Sequence, residues 1–273
     1  FSGDLGQEDQ PFIKDPTSIE SADYVIMEST YGDRFHKDVL NRLEKLNQVI
    51  DETMKKGGNL IIPAFAVERT QDLLYDLNEL YIRGDLDKSI DVYIDSPLAI
   101  AATEIFKKSS ILFDDEAMNF VNNGHNPLEL PNLKFSHTQE ESMQLNTVKG
   151  RTIIISASGM CEAGRIKHHL KHNLWRPEST VLFVGYQAEG TLGRKIMDDE
   201  KMVTIHGEQI NVKADIRHIE AYSSHADQAG LMGWLSKFDG TPQKVFLVHG
   251  EGDAQQVLAD LIQTKLNLPV VIP

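Results

Sequence analysis

Asn59-Leu60-Ile61-Ile62-Pro63 is an unbroken apolar run closed by proline, and it is soon followed by Arg69-Thr70-Gln71-Asp72-Leu73-Leu74-Tyr75-Asp76-Leu77-Asn78-Glu79-Leu80-Tyr81-Ile82-Arg83, with apolar side chains at three- and four-residue spacing. The first stretch reads as a buried strand and the second as an amphipathic helix. The pair recurs outward from there. Further β-rich runs occupy Tyr24 to Met27, Ser89 to Ile94, Thr152 to Ala157, Thr180 to Gly185 and Lys244 to His249. Between them, Lys37 to Lys56, Ala99 to Lys108, Ala163 to Asn173 and Gln228 to Lys237 have helical spacing. Such alternation implies right-handed βαβ crossovers and a mostly parallel sheet with helices on both faces. Ligands of that architecture gather where strands end. From Asp114 to Ser136, Asn122-Asn123-Gly124-His125-Asn126-Pro127 and Leu130-Pro131-Asn132-Leu133 interrupt any period, and a loop-rich excursion is expected.

The 273 residues, 41% of them hydrophobic, suffice for one large domain or two medium ones. No run of 18 apolar residues and no basic-then-apolar leader occurs, so neither membrane insertion nor secretion is indicated and a cytoplasmic location is expected. A single cysteine, Cys161, excludes an internal disulfide and a multi-thiolate zinc site within one chain, which leaves His, Asp and Glu as metal ligands. The net charge of −14 argues against holding nucleic acid by diffuse electrostatics.

Several strands end in polar residues just before a turn. Val25-Ile26-Met27 runs into Glu28-Ser29-Thr30-Tyr31-Gly32, and Val245-Phe246-Leu247-Val248 runs into His249-Gly250-Glu251-Gly252. A buried strand delivers such a side chain at the sheet rim, and the glycine lets the chain turn sharply. Capping or a local hydrogen bond is the plainer role for each taken alone. Ala221-Tyr222-Ser223-Ser224-His225-Ala226-Asp227 precedes a helix that its Ser and Asp residues can cap. Ser156-Ala157-Ser158-Gly159-Met160 follows a strand and offers hydroxyls and backbone N–H groups to a phosphate, or an ordinary turn. His168 and His172 stand one helical turn apart; a solvated or RNA-facing helix is favoured over a ligand pair. His206, in a polar hairpin-like run around Gly207, reads as structural.

Taken in order, these segments resemble the β-CASP family of metallo-β-lactamase-fold nucleases, over essentially the whole chain. Ser2-Gly3-Asp4-Leu5-Gly6 is similar to the family's metal-bridging aspartate motif, and Glu28, His225 and His249 to its three family-specific positions. Pro63-Ala64-Phe65-Ala66-Val67-Glu68-Arg69-Thr70-Gln71, Asp95-Ser96-Pro97-Leu98-Ala99, Ser158-Gly159-Met160 and Gly185-Tyr186-Gln187-Ala188-Glu189-Gly190-Thr191-Leu192-Gly193-Arg194 match the inserted domain's characteristic runs.

The resemblance implies an α/β fold in which a Rossmann-like β-CASP domain, residues 33–220, is inserted in a partial metallo-β-lactamase αβ/βα sandwich formed by residues 1–32 and 221–273. It implies a zinc-dependent ribonuclease, endonucleolytic or 5′-exonucleolytic or both, acting on single-stranded RNA through two Zn²⁺ ions. Asp4 and His249 would be metal ligands, and His225 would act on the scissile phosphate or leaving oxygen with Glu28 orienting it. Arg69, Ser158 and Gly159 would contact phosphate. Histidine at position 249, where the DNA-repair branch of the family has valine, favours RNA. The family's His-x-His-x-Asp-His ligand stretch does not occur in the chain and would fall upstream of Phe1, so the chain by itself is expected to hold zinc weakly and to be inactive. A homodimer is left open. The competing reading is a non-catalytic β-CASP RNA-binding or scaffold protein, for which an intact Glu28, His225 and His249 would be unneeded.

Overall fold

A computed structural model of the chain describes residues 1–37, 41–239 and 242–273. Two compact units emerge, one from residues 1–37 and 223–273 and the other from residues 38–222.

The first unit begins with strand β1, Tyr24–Glu28, in which Val25 and Met27 are buried while Tyr24 is exposed. The chain then enters the second unit. There α1, Arg42–Lys56, ends at Gly57 in the left-handed conformation that lets a helix stop abruptly. Of the helix expected from Lys37, residues Asp38, Val39 and Leu40 lie outside the described residues. Strand β2, Asn59–Pro63, is buried at every position, followed by α2, Arg69–Arg83, both within the bounds their sequence periods predict. Strand β3, Asp91–Ile94, leads into α3, Pro97–Lys108, capped by the Ser96 side chain and started by proline at its first position.

The excursion expected to be loop-rich holds two elements. Helix α4, Asp115–Asn122, is capped by Asp114, whose carboxylate accepts from the N–H of Ala117 at 2.7 Å. Strand β4, Leu133–Phe135, lies at the sheet edge. Ala117 is the one buried residue of α4, so no apolar period marks it. Next come α5, Gln139–Leu145; β5, Thr152–Ser156; α6, Ile166–Asn173; β6, Thr180–Phe183; and α7, Leu192–Met197. Strands β7, Met202–Ile205, and β8, Glu208–Asn211, pair antiparallel across a two-residue turn of His206 and Gly207, both at positive φ. Strand β9, Asp215–His218, closes the unit's sheet. The chain re-enters the first unit with α8, Gln228–Ser236; β10, Lys244–Val248; α9, Gly252–Leu266; and β11, Val270–Val271.

In the second unit the sheet order is β4-β3-β5-β2-β6-β9, and every pair is parallel. Strands buried on both faces read as continuous apolar runs, which is why β2 and β5 were legible. Ile61 and Ile154 share a face with Ile166 and Leu170 of α6. The chain leaves β2 toward β3 but leaves the adjacent β5 toward β6. Right-handed crossovers in opposite directions put their helices on opposite faces, so a topological switch point lies between the ends of β2 and β5. In the first unit the order is β1-β10-β11, also parallel, over a core that includes Val25, Met27, Leu231, Val245, Leu247, Leu258 and Ile262. No described helix is long and apolar enough to cross a membrane.

Candidate active site

Parallel pairing of β1 with β10 sets Glu28 opposite Val248, so the residues after each strand share one rim. The Ser29 N–H donates to the His249 carbonyl at 3.2 Å, and the Ser29 hydroxyl to that of Val248 at 2.8 Å. The Thr30 hydroxyl donates to the His249 carbonyl at 3.1 Å. A Cβ at Gly250 would come within 2.5 Å of the Ser29 hydroxyl oxygen, so only glycine lets the two turns approach this closely. The N-terminal segment is fixed on the same rim: the Ser2 N–H donates to the Ile26 carbonyl, the Leu5 N–H to Glu28 Oε1 at 2.6 Å, and the Ala226 N–H to the Leu5 carbonyl.

These bonds assemble Asp4, Glu28, His225 and His249. Glu28 is 1% exposed, and both its carboxylate oxygens lie 2.9 Å from Nδ1 of His225. A carboxylate only accepts, so Nδ1 carries the proton and Nε2 of the neutral ring keeps a lone pair. Nε2 of His249 lies 3.5 Å from Oδ1 of Asp4, and the His225 and His249 rings are 5.6 Å apart. One ligand atom from each of Asp4, His225 and His249 lies within 4.8 Å of the others. Among the described residues this is the one such group of three or more possible metal donors.

One oxygen and two imidazole nitrogens are donors that zinc accepts, and Asp4 and His249 are exposed enough for an ion to reach them. Resemblance had supplied Asp4 and His249 as ligands; the structure adds His225 to the converging group. Its Nδ1–H, held by Glu28, fixes the orientation of the ring beside Asp4 and His249.

Two contributors escaped the sequence reading. Thr30 Oγ1 lies 3.3 Å from His225 Nδ1. His36 donates from Nε2 to the His225 carbonyl at 2.9 Å, while its own N–H donates to Asp227, the residue that caps α8. Nothing in the polar stretch around Arg34 and Phe35 signals that role.

The remaining candidates lie in the second unit. Ser158 and Gly159 follow β5: the Ser158 hydroxyl accepts from the Ala163 N–H at 3.2 Å, and the Gly159 carbonyl from the Gln187 side chain at 2.9 Å. Arg69 is 3% exposed and donates to Asp72 at 2.7 Å. It opens a helix buried at most of its positions, and its guanidinium lies 6.0 Å from the centroid of the Tyr222 ring. The His168 ring stacks on that of His206 at 4.6 Å, and His168 and His172 belong to no described metal-sized group.

Residues 70–196 match the model of the Beta-Casp domain, and residues 209–273 that of the Zn-dependent metallo-hydrolase RNA specificity domain. The chain is 36% identical over 97% of its length to Ribonuclease TTHA0252 of Thermus thermophilus, spanning 60% of that protein. It is 32% identical over 99% of its length to Transcription termination factor FttA of Methanothermobacter thermautotrophicus, spanning 45% of it. It is 31% identical over its whole length to an RNase J-like protein of Methanocaldococcus jannaschii, spanning 63% of it. Two matching domain models in sequence order, on an α/β fold with parallel sheets, place the chain in the β-CASP family of metallo-β-lactamase-fold proteins.

Proposed function

We propose that the protein is part of a zinc-dependent ribonuclease that hydrolyses phosphodiester bonds of single-stranded RNA. The observation that supports this reading best is the fixed imidazole of His225, held by a buried carboxylate beside Asp4 and His249. With Nδ1–H on Glu28, the ring can hold or give a proton only at Nε2. That atom would donate to the leaving oxygen or hold the phosphate, while Glu28 orients the ring and stabilises its protonated form. Asp4 and His249 would hold zinc, two ions being expected in the complete enzyme. Bound zinc supplies hydroxide near neutral pH and neutralises charge on phosphate oxygens. Ser158 and Gly159 would contact phosphate from the loop after β5.

A part in transcription termination is the second reading, favoured by the relatives named for it. Higher identity to the ribonuclease, and a larger share of its length spanned, put RNA hydrolysis first. A scaffold has no use for a carboxylate-braced imidazole beside two exposed metal donors.

The test is His225→Ala in the full-length gene product, read by cleavage of a single-stranded RNA and by zinc per polypeptide. Cleavage is expected to fall about 10²–10⁴-fold, with zinc retained. Undiminished cleavage would remove His225 from the chemistry.

A further inference from the structure

The second unit carries a feature that the hydrolytic site does not use. Phe65, in the loop after β2, is 42% exposed, although its backbone is firmly held: its carbonyl accepts from the Thr70 N–H at 3.3 Å and the Thr70 hydroxyl at 2.7 Å. The ring is seated on glycine. A Cβ at Gly159 would come within 2.8 Å of two ring carbons, and one at Gly185 would come to 4.0 Å. The floor is itself fixed, since the Gln187 amide donates to the carbonyls of Gly159, Gly185 and Tyr186 at 2.9, 3.2 and 3.0 Å. A Cβ at Gly193 would come within 1.8 Å of Gln187 Oε1, so that position needs glycine to admit the clamp.

This ring stands where the topology places ligands, at the switch point between the ends of β2 and β5. On the basis of the RNA reading above, we infer that Phe65 is a stacking platform for an unpaired nucleobase of single-stranded RNA. A flat ring backed by rigid backbone accepts any base, because every base has a π-face, and little ordering is left to be done on binding. The flanking loops, residues 64–68, 157–162 and 185–190, carry Glu68, Glu162 and Glu189 and no Lys or Arg. The ring's own contribution is stacking and is insensitive to salt, unlike the phosphate contacts assigned above to Ser158 and Gly159.

The experiment compares the full chain with its Phe65→Ala and Phe65→Trp variants, titrated with a short oligouridylate and with the same oligomer carrying abasic riboses. Wild type and Phe65→Trp are expected to bind the oligouridylate alike, and Phe65→Ala to bind it about 5- to 150-fold more weakly at every salt concentration. Both variants and wild type should bind the abasic oligomer equally. The indole fluorescence that the Phe65→Trp substitution adds to that of Trp175 and Trp234 should be quenched by the oligouridylate only. If wild type binds the oligouridylate but Phe65→Ala binds as tightly and Phe65→Trp shows no quenching, the platform is overturned while the RNA reading stands. If wild type binds neither oligomer, both fall together. Should Phe65→Ala fail to fold by circular dichroism, quenching in the Phe65→Trp variant decides alone.

Discussion

Both carboxylate oxygens of Glu28 lie 2.9 Å from Nδ1 of His225, and the same carboxylate accepts from the backbone N–H groups of Leu5 and Thr30. Glu28→Gln offers one acceptor oxygen and an NH₂ group to three donors. One donor then meets another in a buried site, at a cost of about 1–3 kcal/mol. A lower Tm is expected. In the active full-length protein the variant also loses the carboxylate that orients His225, so RNA cleavage is expected to slow. An unchanged cleavage rate would mean that Glu28 only braces the rim.

The exposed side chains of Asp4 and His249 allow the metal assignment to be tested without unfolding the protein. Asp4→Ala and His249→Ala should change stability by no more than about 0.5 kcal/mol. Each should weaken zinc binding to the full-length protein by more than the roughly 10–100-fold typical of losing a supporting partner of a ligand. Elemental analysis after dialysis against a weak chelator, with His225→Ala beside them, gives the readout. Equal zinc in wild type and both variants would place the metal elsewhere.

The strand ends were legible because burial on both faces writes β2 and β5 as apolar runs, and because Glu28 and His249 each stand where such a run stops. The pairing of Glu28 with His225, 197 residues apart, has no local signal and came from resemblance alone. Some elements were written but not read. Thr138 and Glu141 form a reciprocal capping box that opens α5, and Ala254, Leu258 and Ile262 mark α9 at four-residue spacing. The burial of Arg69 beside Asp72 has no local signal either, because the neighbours that cover a helix's first residue come from elsewhere in the sequence.

At the ends of β3 and β5, Asp95 is fully buried and accepts from Ser142 at 2.6 Å, Arg165 at 2.7 Å and His169 Nε2 at 2.6 Å. Burial works to raise its pKa, but the hydrogen bonds from His169 and Ser142, the nearby His169 charge and Arg165 together hold it below the usual carboxylate value. A carboxyl depressed by folding adds stability that is fully present above its unfolded pKa and is lost as pH falls through the folded value. Asp95→Asn should therefore lower Tm at neutral pH and lose less on acidification than wild type. Parallel Tm-against-pH curves for the two proteins would contradict that role.

Arg42 opens α1 and Tyr222 ends the second unit, and one carboxylate holds both. Arg42 Nε and Nη2 donate to the two oxygens of Asp76 at 2.8 and 2.7 Å, the Tyr222 hydroxyl donates to Asp76 at 2.5 Å, and the Arg42 guanidinium lies over the Tyr222 ring. All three side chains are nearly inaccessible, and burial, followed by the Asp76 charge, pushes the Tyr222 phenol well above its ordinary pKa. Desolvating such a pair consumes most of what the attraction returns, so its presence adds little net stability, yet removing one member strands a buried charge. Asp76→Ala should cost about 3–5 kcal/mol, and Tyr222→Phe about 1.5–3 kcal/mol for a bond to a charged acceptor. Arg42→Met with Asp76→Leu removes both charges and should be less destabilising than Asp76→Ala alone. Chemical denaturation of the three variants checks the order; a double variant at least as destabilised as Asp76→Ala would show that the ion pair itself, and not the avoidance of a stranded charge, stabilises this part of the fold.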